Sequence, residues 1–311
     1  MNLARLQKPT FYGQFAPEVD RFAYERYFRH TLLDGVTFEC GSFDGVLESS
    51  CYFFEQTLGW KAYNVEASPP IFDRLQANRP EAENIHAALS DSEGFIEFAH
   101  VVHPVHGQNF GNGSVSHTAA HKAELDATGC TFETYRVPKT TYKALIERLG
   151  IRRVDFMVLD IEGHEVAALN GMVGCAVMPA VLCVEVGQVG LDAVQGQIEA
   201  LGFVFDVVSH VNAFFVRADK WDLFQFIREQ DGATVTVQRV YSVPLSNIQQ
   251  QEVGALLSLD ALREEYLHEA NELQGAADEH GAGRQGRLAV MSGLAAKVMH
   301  TARQWRARLR Q

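Results

Sequence analysis

A run of apolar residues near the middle of the chain, Val154–Leu159, is the feature that most constrains the fold. Only Asp155 interrupts it, so the pattern predicts a β-strand covered on both faces, as in a parallel sheet between helices. Asp160 and Glu162 follow the run directly, and Gly163 permits a sharp turn into the next helix. Because open parallel sheets bind ligands beyond the carboxyl ends of their strands, these carboxylates predict a ligand site.

The same short stretch also has a simpler interpretation. Asp160 or Glu162 can cap the helix that follows, and His164 can be a solvated residue of its first turn. Two carboxylates and a histidine within five residues are nevertheless costly to desolvate beside a buried strand. We therefore favour a ligand site here, with helix capping as the alternative.

Composition places the chain among ordinary globular proteins. Of its 311 residues, 47% are hydrophobic and 21% are charged, which allows a sizeable core. No run is long enough to cross a bilayer, and residues 1–17 lack the apolar core of a signal peptide, so we expect a cytoplasmic protein. Five cysteines without CxxC spacing predict neither a disulfide framework nor a cysteine-rich zinc site.

Charge is unevenly distributed along the chain. The net charge is −12, but residues 281–311 carry seven basic residues and no acid, so the first 280 residues carry −19. These 280 residues lack the cluster of basic side chains that a nucleic-acid binder needs for contacts with phosphates. We therefore expect no nucleic-acid partner. A last helix over 287–311 sets apolar side chains opposite basic ones. That pattern suits the anionic inner face of a membrane, an acidic partner, the protein's own body or a second subunit.

Two strand-to-helix units precede the central run. A β-rich segment ends at Gly41 and Gly45, before a helical pattern over Leu47–Leu58, and such a turn lets a ligand approach the backbone. There is no GxGxxG motif. A second predicted strand, Lys61–Glu66, ends in an acid about 20 residues after the turn, where carboxylates in such folds bind a ribose diol. The sequence therefore predicts a nucleoside site with Glu66 as the ribose ligand.

Strands and helices alternate through most of residues 36–216, which predicts a mostly parallel sheet with helices on both faces. In this pattern the third strand, Asn84–Leu89, ends at Ser90 and Asp91, which can face a nucleobase or simply form a turn. The predicted organisation is a helical lead-in over 1–34, a sheet domain over 35–245 and a helical extension over 246–311.

Three histidines and a polar loop follow the third strand. His100, His103 and His106 lack a known zinc spacing, and Pro104 argues against the helix that would align them, so we expect no metal site there. Residues 107–114 form a long polar segment, which is typical of lids and acceptor-binding loops.

Three motifs occur in order along the chain: Phe38–Gly45 (FECGSFDG), Gly59–Pro69 (GWKAYNVEASP) and Val154–Glu165 (VDFMVLDIEGHE). Together they resemble the FkbM family of S-adenosylmethionine-dependent methyltransferases, over about residues 11–217. The third motif is similar to the family's Asp-x-Glu-Gly-x-Glu signature. The resemblance implies an α/β, Rossmann-like class I methyltransferase sheet, seven-stranded and mostly parallel, followed by the helical C-terminal extension.

The resemblance also implies roles for individual residues. Glu39 would hold the amino group of S-adenosylmethionine, and Gly41 would let the chain pass close to the methionine part of this cofactor. Glu66 would bind the ribose hydroxyls, and Ser90 or Asp91 would lie near the adenine. The predicted cofactor site is completed by Phe43, Asp44, Ala67 and Asp160.

Methyl transfer from a sulfonium is an in-line displacement, so the protein must align the acceptor and, for a hydroxyl, remove its proton. His164, Glu162 and Asp160 are the candidates for this base, since histidine titrates near neutrality and burial shifts a carboxylate towards it. Asp160 and Glu162 could instead hold a divalent cation such as magnesium. We favour a base without a metal.

The sequence therefore predicts an enzyme that methylates a hydroxyl of a sugar, a glycan or a small natural product. One alternative is a dinucleotide-dependent oxidoreductase, against which the missing GxGxxG motif counts. The other is a catalytically inactive Rossmann-like scaffold. Binding of S-adenosylmethionine or of NAD distinguishes these hypotheses.

Overall fold

The computed structural model describes residues 9–29 and 34–224. The strands within these residues are β1 (Val36–Cys40), β2 (Lys61–Glu66), β3 (Glu83–His86), β4 (Ala88–Leu89), β5 (Gly94–Val102), β6 (Thr131–Thr140), β7 (Phe156–Leu159), β8 (Val181–Glu185), β9 (Phe203–Ser209) and β10 (Asn212–Arg217). The α-helices are α1 (Val19–Ala23), α2 (Pro69–Asn78), α3 (Ala119–Ala127), α4 (Tyr142–Arg148), α5 (Glu165–Asn170) and α6 (Leu191–Ala200). Two π-helical segments, Tyr24–Phe28 and Phe54–Leu58, and a 3-10 turn at Ala218–Lys220 are also present.

The main sheet has seven strands in the order β3-β2-β1-β7-β8-β10-β9. All neighbours from β3 to β8 pair in parallel, and β10 runs antiparallel to both β8 and β9. After β3 the chain returns to the centre of the sheet. Strand β7 therefore lies on the opposite side of β1 from β2 and β3. This topology confirms the predicted Rossmann-like class I methyltransferase sheet.

The central strand β7 is buried on both faces. Because side chains alternate along a strand, Met157 packs into one hydrophobic cluster while Phe156 and Val158 pack into another. The predicted coverage of both faces is thereby confirmed. Asp155 lies just before the strand, where its carboxylate accepts a hydrogen bond of 2.8 Å from the backbone N–H of Val36. This bond explains why a polar residue is tolerated within the apolar run.

The N-terminal helical segment, Val19–Phe28, carries an aromatic stripe into the core. Tyr27 and Phe28 are buried, and their rings contact those of Phe214 and Phe156. The stripe therefore packs against the sheet, as the helical spacing of its aromatic residues predicts.

A second sheet of three strands, in the order β4-β6-β5, is inserted between β3 and β7. One strand over Asn84–Leu89 within a single sheet is the prediction from the sequence, and it is wrong. The strand breaks at Ala87, whose N–H bonds to the carbonyl of Glu66 at 3.1 Å. The next residue, Ala88, pairs instead with Lys139 of β6.

Helix α3 belongs to the same insertion and is absent from the sequence prediction. Only His121 and Leu125 of this helix are buried, so its apolar periodicity is weak. The hydroxyl of Thr118 accepts a hydrogen bond from the N–H of His121 at 3.1 Å and caps the helix start. Capping and tertiary packing, rather than a hydrophobic stripe, support this helix.

The helix predicted over Leu47–Leu58 begins later than expected. Its π-helical segment covers Phe54–Leu58, while the preceding residues form a turn in which Glu48 has a φ of 60°. The carboxylate of Asp44 accepts hydrogen bonds from the N–H groups of Val46 and Leu47. Side-chain bonds of this kind compete with helix formation.

The predicted extension over 246–311, including the basic helix at 287–311, lies outside the described residues. Among the residues that are described, no helix combines the length and the apolar character needed to span a membrane.

Candidate active site

The carboxyl ends of the central strands lie in one register. Cys40 pairs with Val65 and with Leu159, and Leu159 pairs with Val184. The residues that follow these positions are, in strand order, Glu66, Gly41, Asp160 and Glu185. Asn212 on β10 extends the row. Because chain order reverses between β1 and β7, the row crosses the topological switch point, where open sheets bind ligands.

A cavity of about 270 Å³ opens over this row. Its volume lies near the lower end of the range for small-molecule sites, which begins at roughly 300 Å³. All five members of the row line the cavity, and three of them, Glu66, Gly41 and Asp160, were predicted as site residues. The sequence-predicted residues that line it are Gly41, Phe43, Glu66, Ala67, Asp160, Glu162 and His164.

The turn after β1 requires glycine at its first position. Gly41 has a φ of 76°, and a Cβ atom there would lie 1.7 Å from the carbonyl oxygen of Asp160. The N–H of Gly41 bonds to the carbonyl of Val65 at 3.0 Å. The turn therefore passes directly between the ends of β2 and β7, and its backbone faces the cavity.

The carboxylate of Glu66 organises the cavity wall beside this turn. Its two oxygens accept hydrogen bonds from the N–H groups of Phe43, at 3.0 Å, and Ser68, at 2.8 Å. Burial raises the pKa of Glu66 to about 7, against the opposing effect of these bonds. A carboxylate keeps further lone pairs after two such bonds, so Glu66 can still accept from a ribose diol.

Glu39 does not line the cavity, so the expected contact with the cofactor's amino group is not available to it. Its carboxylate instead accepts from the hydroxyl of Ser49 at 2.8 Å and the N–H of Ser50 at 2.7 Å. The guanidinium of Arg79 lies 3.4 Å away. Glu39 therefore stabilises the turn after β1 through these hydrogen bonds. The guanidinium of Arg79 balances its charge.

Three other predicted cofactor residues also lie outside the cavity lining. Asp44 caps the turn after β1, as described above. Asp91 is exposed and pairs with Lys139 at 3.5 Å. Ser90 is buried, and its hydroxyl lies 3.0 Å from Nε2 of His164. The wall expected near the adenine is formed instead by the preceding residues, Ala87–Leu89.

The loop after β7 is held in a strained conformation. Glu162 has a φ of 54°, which non-glycine residues rarely adopt. The buried carboxylate of Glu165 accepts hydrogen bonds from the N–H groups of Ile161 and Gly163, each at 3.0 Å. The hydroxyl of Ser114 donates to the carbonyl of Glu162 at 2.7 Å. These bonds hold the backbone from which the Glu162 side chain reaches the cavity.

Burial and neighbouring acids raise the pKa of three carboxyls at the cavity, those of Asp160, Glu162 and Glu185. Burial, followed by the charges of Glu162 and Glu185, raises the pKa of Asp160 well above its usual range. Burial, followed by the charges of Glu185 and Glu165, raises the pKa of Glu162 to about 8. Burial likewise raises the pKa of Glu185 to about 7. Glu162 and Glu185 therefore exchange protons near neutral pH, as general bases must.

His164 is clamped between two hydroxyls at the cavity wall. Its Nε2 lies 3.0 Å from Oγ of Ser90 and its Nδ1 lies 3.2 Å from Oγ of Ser116. Burial lowers its pKa, so the ring is neutral at pH 7. With a serine partner at each nitrogen, this histidine is less available to a substrate than Glu162 is.

Several lining residues come from the inserted segment and were not predicted as site residues. His100, on β5, is fully buried, with Nδ1 bonded to the hydroxyl of Ser68 at 2.9 Å and Nε2 without a partner. Phe110 to Gly113 line the cavity from the 107–114 loop, whose polar composition was the one signal available. Within the part of the chain that the structure describes, no group of three metal-ligating side chains is arranged to hold a metal ion.

Comparison with known proteins identifies the family. The model of the methyltransferase FkbM domain matches residues 39–253, which is more than half of the chain. The chain belongs to the FkbM methyltransferase family. The third motif of the sequence, from Val154 to Glu165, lies within this match and supplies the loop that carries Asp160 and Glu162. No curated protein matches the chain.

Solved structures similar to this FkbM methyltransferase share little sequence with it. An FkbM methyltransferase from Methylobacillus flagellatus KT is 14% identical, with a TM-score of 0.39, and the match covers 63% of this chain and 50% of that one. The methyltransferase domain of METTL16 is 8% identical, with a TM-score of 0.39, over 65% and 67% of the two chains. Precorrin-6y C5,15-methyltransferase from Geobacter metallireducens GS-15 is 10% identical, with a TM-score of 0.33, over 64% and 87%. The present chain thus spans half the length of the first of these.

The family and fold imply S-adenosylmethionine as the cofactor, and the cavity of this FkbM methyltransferase fits it. One deeply buried polar atom, Nε2 of His100, lacks a protein partner. His100 lines the cavity. Unpartnered buried polar atoms are costly unless a ligand satisfies them, and S-adenosylmethionine offers ribose, amino and sulfonium groups.

Proposed function

We propose that this FkbM methyltransferase transfers the methyl group of S-adenosylmethionine to a hydroxyl of a sugar, a glycan or another small natural product. The observation that carries the proposal is the placement of Glu162 at the cavity, on a fixed loop and with a pKa of about 8. A hydroxyl needs a base as it attacks, and this carboxyl is tuned for that task.

The cofactor would occupy the half of the row that includes Glu66 and Gly41. Glu66 would accept from the ribose hydroxyls, and the backbone of Gly41 would pass beside the methionine part. Phe43, Ala67 and Asp160 would complete this half. When bound there, S-adenosylmethionine supplies a methyl group on a positively charged sulfur.

The residues of the chain would then act on the acceptor. Carboxylates of the row would orient its hydroxyl towards the methyl group, and Glu162 would take the hydroxyl proton as the new C–O bond forms. His164, held by Ser90 and Ser116, would form a rigid wall beside the reacting atoms. Asp160 lies next to Gly41, so it would contact the cofactor rather than serve as the base.

Binding of S-adenosylhomocysteine, measured by calorimetry, tests the cofactor assignment. Loss of charge-assisted hydrogen bonds to the ribose should weaken binding about 10- to 100-fold in Glu66→Ala. Glu83→Ala removes an exposed carboxylate outside the cavity and should leave binding unchanged. NAD binding in place of S-adenosylhomocysteine would instead support an oxidoreductase, and binding of neither would support a scaffold.

The type of methylation is tested with a methyl-labelled cofactor and a panel of sugars and glycosides. Label recovered in an ether on a hydroxyl supports the proposal. Label found on nitrogen or carbon would contradict O-methylation while leaving the cofactor assignment intact.

A further inference from the structure

The chain neutralises one buried acid near the cavity but not the others. Glu39 lies against the guanidinium of Arg79, whose other nitrogens bond to Glu55. By contrast, the charged groups that shift the pKa of Asp160 are all acids. Those that shift the pKa of Glu185 include no cation. Buried acids are stable when paired and costly when unpaired. The described part of the protein therefore offers no cation to pair with Asp160 or Glu185 when either is ionised.

The described lining of the cavity likewise has acidic side chains without basic ones to pair with them. Its described residues include five acids, Glu48, Glu66, Asp160, Glu162 and Glu185, and neither lysine nor arginine. An acidic cluster alone identifies no ligand, but Glu185 adds a second observation. This side chain is only 9% exposed, and its Oε2 has no hydrogen-bond partner. Its Oε1 is held by the N–H of Gly187 at 2.6 Å, so the carboxylate is fixed with its second oxygen unpaired.

The position of Glu185 separates it from the expected cofactor half. Three strand spacings, from β2 through β1 and β7 to β8, lie between Glu66 and Glu185. At about 4.8 Å for each spacing, this amounts to roughly 14 Å. Asn212, on the next strand, lines the cavity beyond Glu185. If the cofactor occupies the other half, Glu185 and Asn212 face the acceptor.

We propose that the acceptor is a hydroxylated amine whose protonated amino group is bound by the carboxylate of Glu185. An ammonium group supplies both the hydrogen-bond donor that Oε2 lacks and a positive charge that the described lining residues do not place beside Glu185. Phosphorylated and carboxylated acceptors are disfavoured, because their charge would face five acids and no basic side chain among the described lining residues. This inference rests on the proposed methyltransferase function and deepens it.

The test uses three probes that share one polyol chain and differ at one end. Glucamine ends in an ammonium group, sorbitol in a hydroxymethyl group and gluconate in a carboxylate. Their dissociation constants are measured by calorimetry on the full-length protein loaded with S-adenosylhomocysteine, at pH 8 and constant ionic strength. A charge-assisted hydrogen bond should make glucamine bind at least about tenfold more tightly than sorbitol. Gluconate should bind more weakly than either.

Two variants assign the preference to one residue. Glu185→Gln keeps an oxygen that can accept from Gly187 but removes the charge, and it should abolish the preference for glucamine. Glu199→Gln makes the same change on an exposed face of α6, outside the cavity, and should preserve it. These results together would support the proposal.

Other outcomes would overturn it. Equal affinity for glucamine and sorbitol, or a preference that survives in Glu185→Gln, contradicts an ammonium site at Glu185. Magnesium chloride that binds the loaded protein and displaces glucamine would indicate a divalent cation site instead. If S-adenosylhomocysteine itself fails to bind, the proposed function fails. Cofactor binding without an amine preference removes only the present inference.

Discussion

Nδ1 of His121 lies 3.6 Å from the carboxylate of Glu162, although the two residues belong to different parts of the fold. His121 is on α3 of the inserted segment, while Glu162 follows the central strand β7. Nε2 of His121 bonds to Oδ1 of Asn112 at 3.1 Å, so this nitrogen donates and Nδ1 presents a lone pair to Glu162. Burial lowers the pKa of His121, which keeps the ring neutral. The insertion therefore completes the surroundings of the base that we propose.

Replacement of His121 by phenylalanine should lower the pKa of Glu162, because the protonated carboxyl loses the nearby acceptor. Carbon-13 NMR titration of the side-chain carboxyl measures this without an acceptor molecule. His117→Phe is a matched control, since His117 bonds to the backbone carbonyl of Asn112 and not to Glu162. A rise in the pKa of Glu162 would show that Nδ1 donates rather than accepts.

Replacement of Glu162 by glutamine should lower the rate of methyl transfer about 10²- to 10⁴-fold, as expected for loss of a general base. The affinity for S-adenosylhomocysteine should stay the same, because the proposed cofactor residues are untouched. Single-turnover transfer from a labelled cofactor measures the first quantity and calorimetry the second. His164→Asn should have the smaller effect on rate. If it has the larger one, the proton goes to the histidine instead.

Replacement of Gly41 by alanine should destabilise the protein by at least about 1–3 kcal/mol, the cost of a strained backbone position. The added Cβ would also lie within 1.7 Å of the carbonyl oxygen of Asp160, so the ends of β1 and β7 must separate. Urea denaturation measures the change. Gly196→Ala is a control in α6 with open space around it, and there we expect stabilisation of about 0.5–1 kcal/mol. Equal effects at the two positions would contradict the close approach at Gly41.

The stability of the cofactor-free protein should fall as pH rises from about 4.5 to about 7. Burial raises the pKa of Glu66 from 4.5 to about 7, so the folded state binds this proton more tightly than the unfolded state. Its contribution is fully present below pH 4.5 and is lost as pH passes the folded-state pKa. The change is about 3 kcal/mol.

Denaturation curves at several pH values test this linkage. Glu66→Gln cannot titrate and should show a smaller loss of stability over the same range. Saturating S-adenosylhomocysteine should also reduce the loss, because ribose hydroxyls stabilise the ionised carboxylate. A slope that is the same in Glu66→Gln and in the parent protein would assign the pH dependence to other buried acids, such as Asp20.

Local sequence signals were sufficient to predict the central sheet. The strand Lys61–Glu66 has the predicted bounds. Its apolar pattern and its end at an acid depend on neighbours a few residues away. The same holds for the glycine turn at Gly41 and for the carboxylates after β7, because parallel strands bring their carboxyl ends to one edge.

The inserted segment shows where such signals fail. Strand β4 leaves the main sheet after a break at Ala87, and α3 has few buried side chains. Neither feature changes the local pattern of apolar and polar residues. Both depend on pairing partners far along the chain, such as Lys139 for Ala88.

The sequence by itself determined the class of fold, the edge of the sheet that carries the site and most of the residues at its centre. Only the tertiary structure decided that Glu39 is neutralised by Arg79 while Glu185 keeps an unpaired oxygen, and that His100 and Asn112 reach the cavity. The reason is physical: periodicity and turn chemistry act over a few residues. The charge state and the availability of a side chain depend instead on which distant groups fold against it.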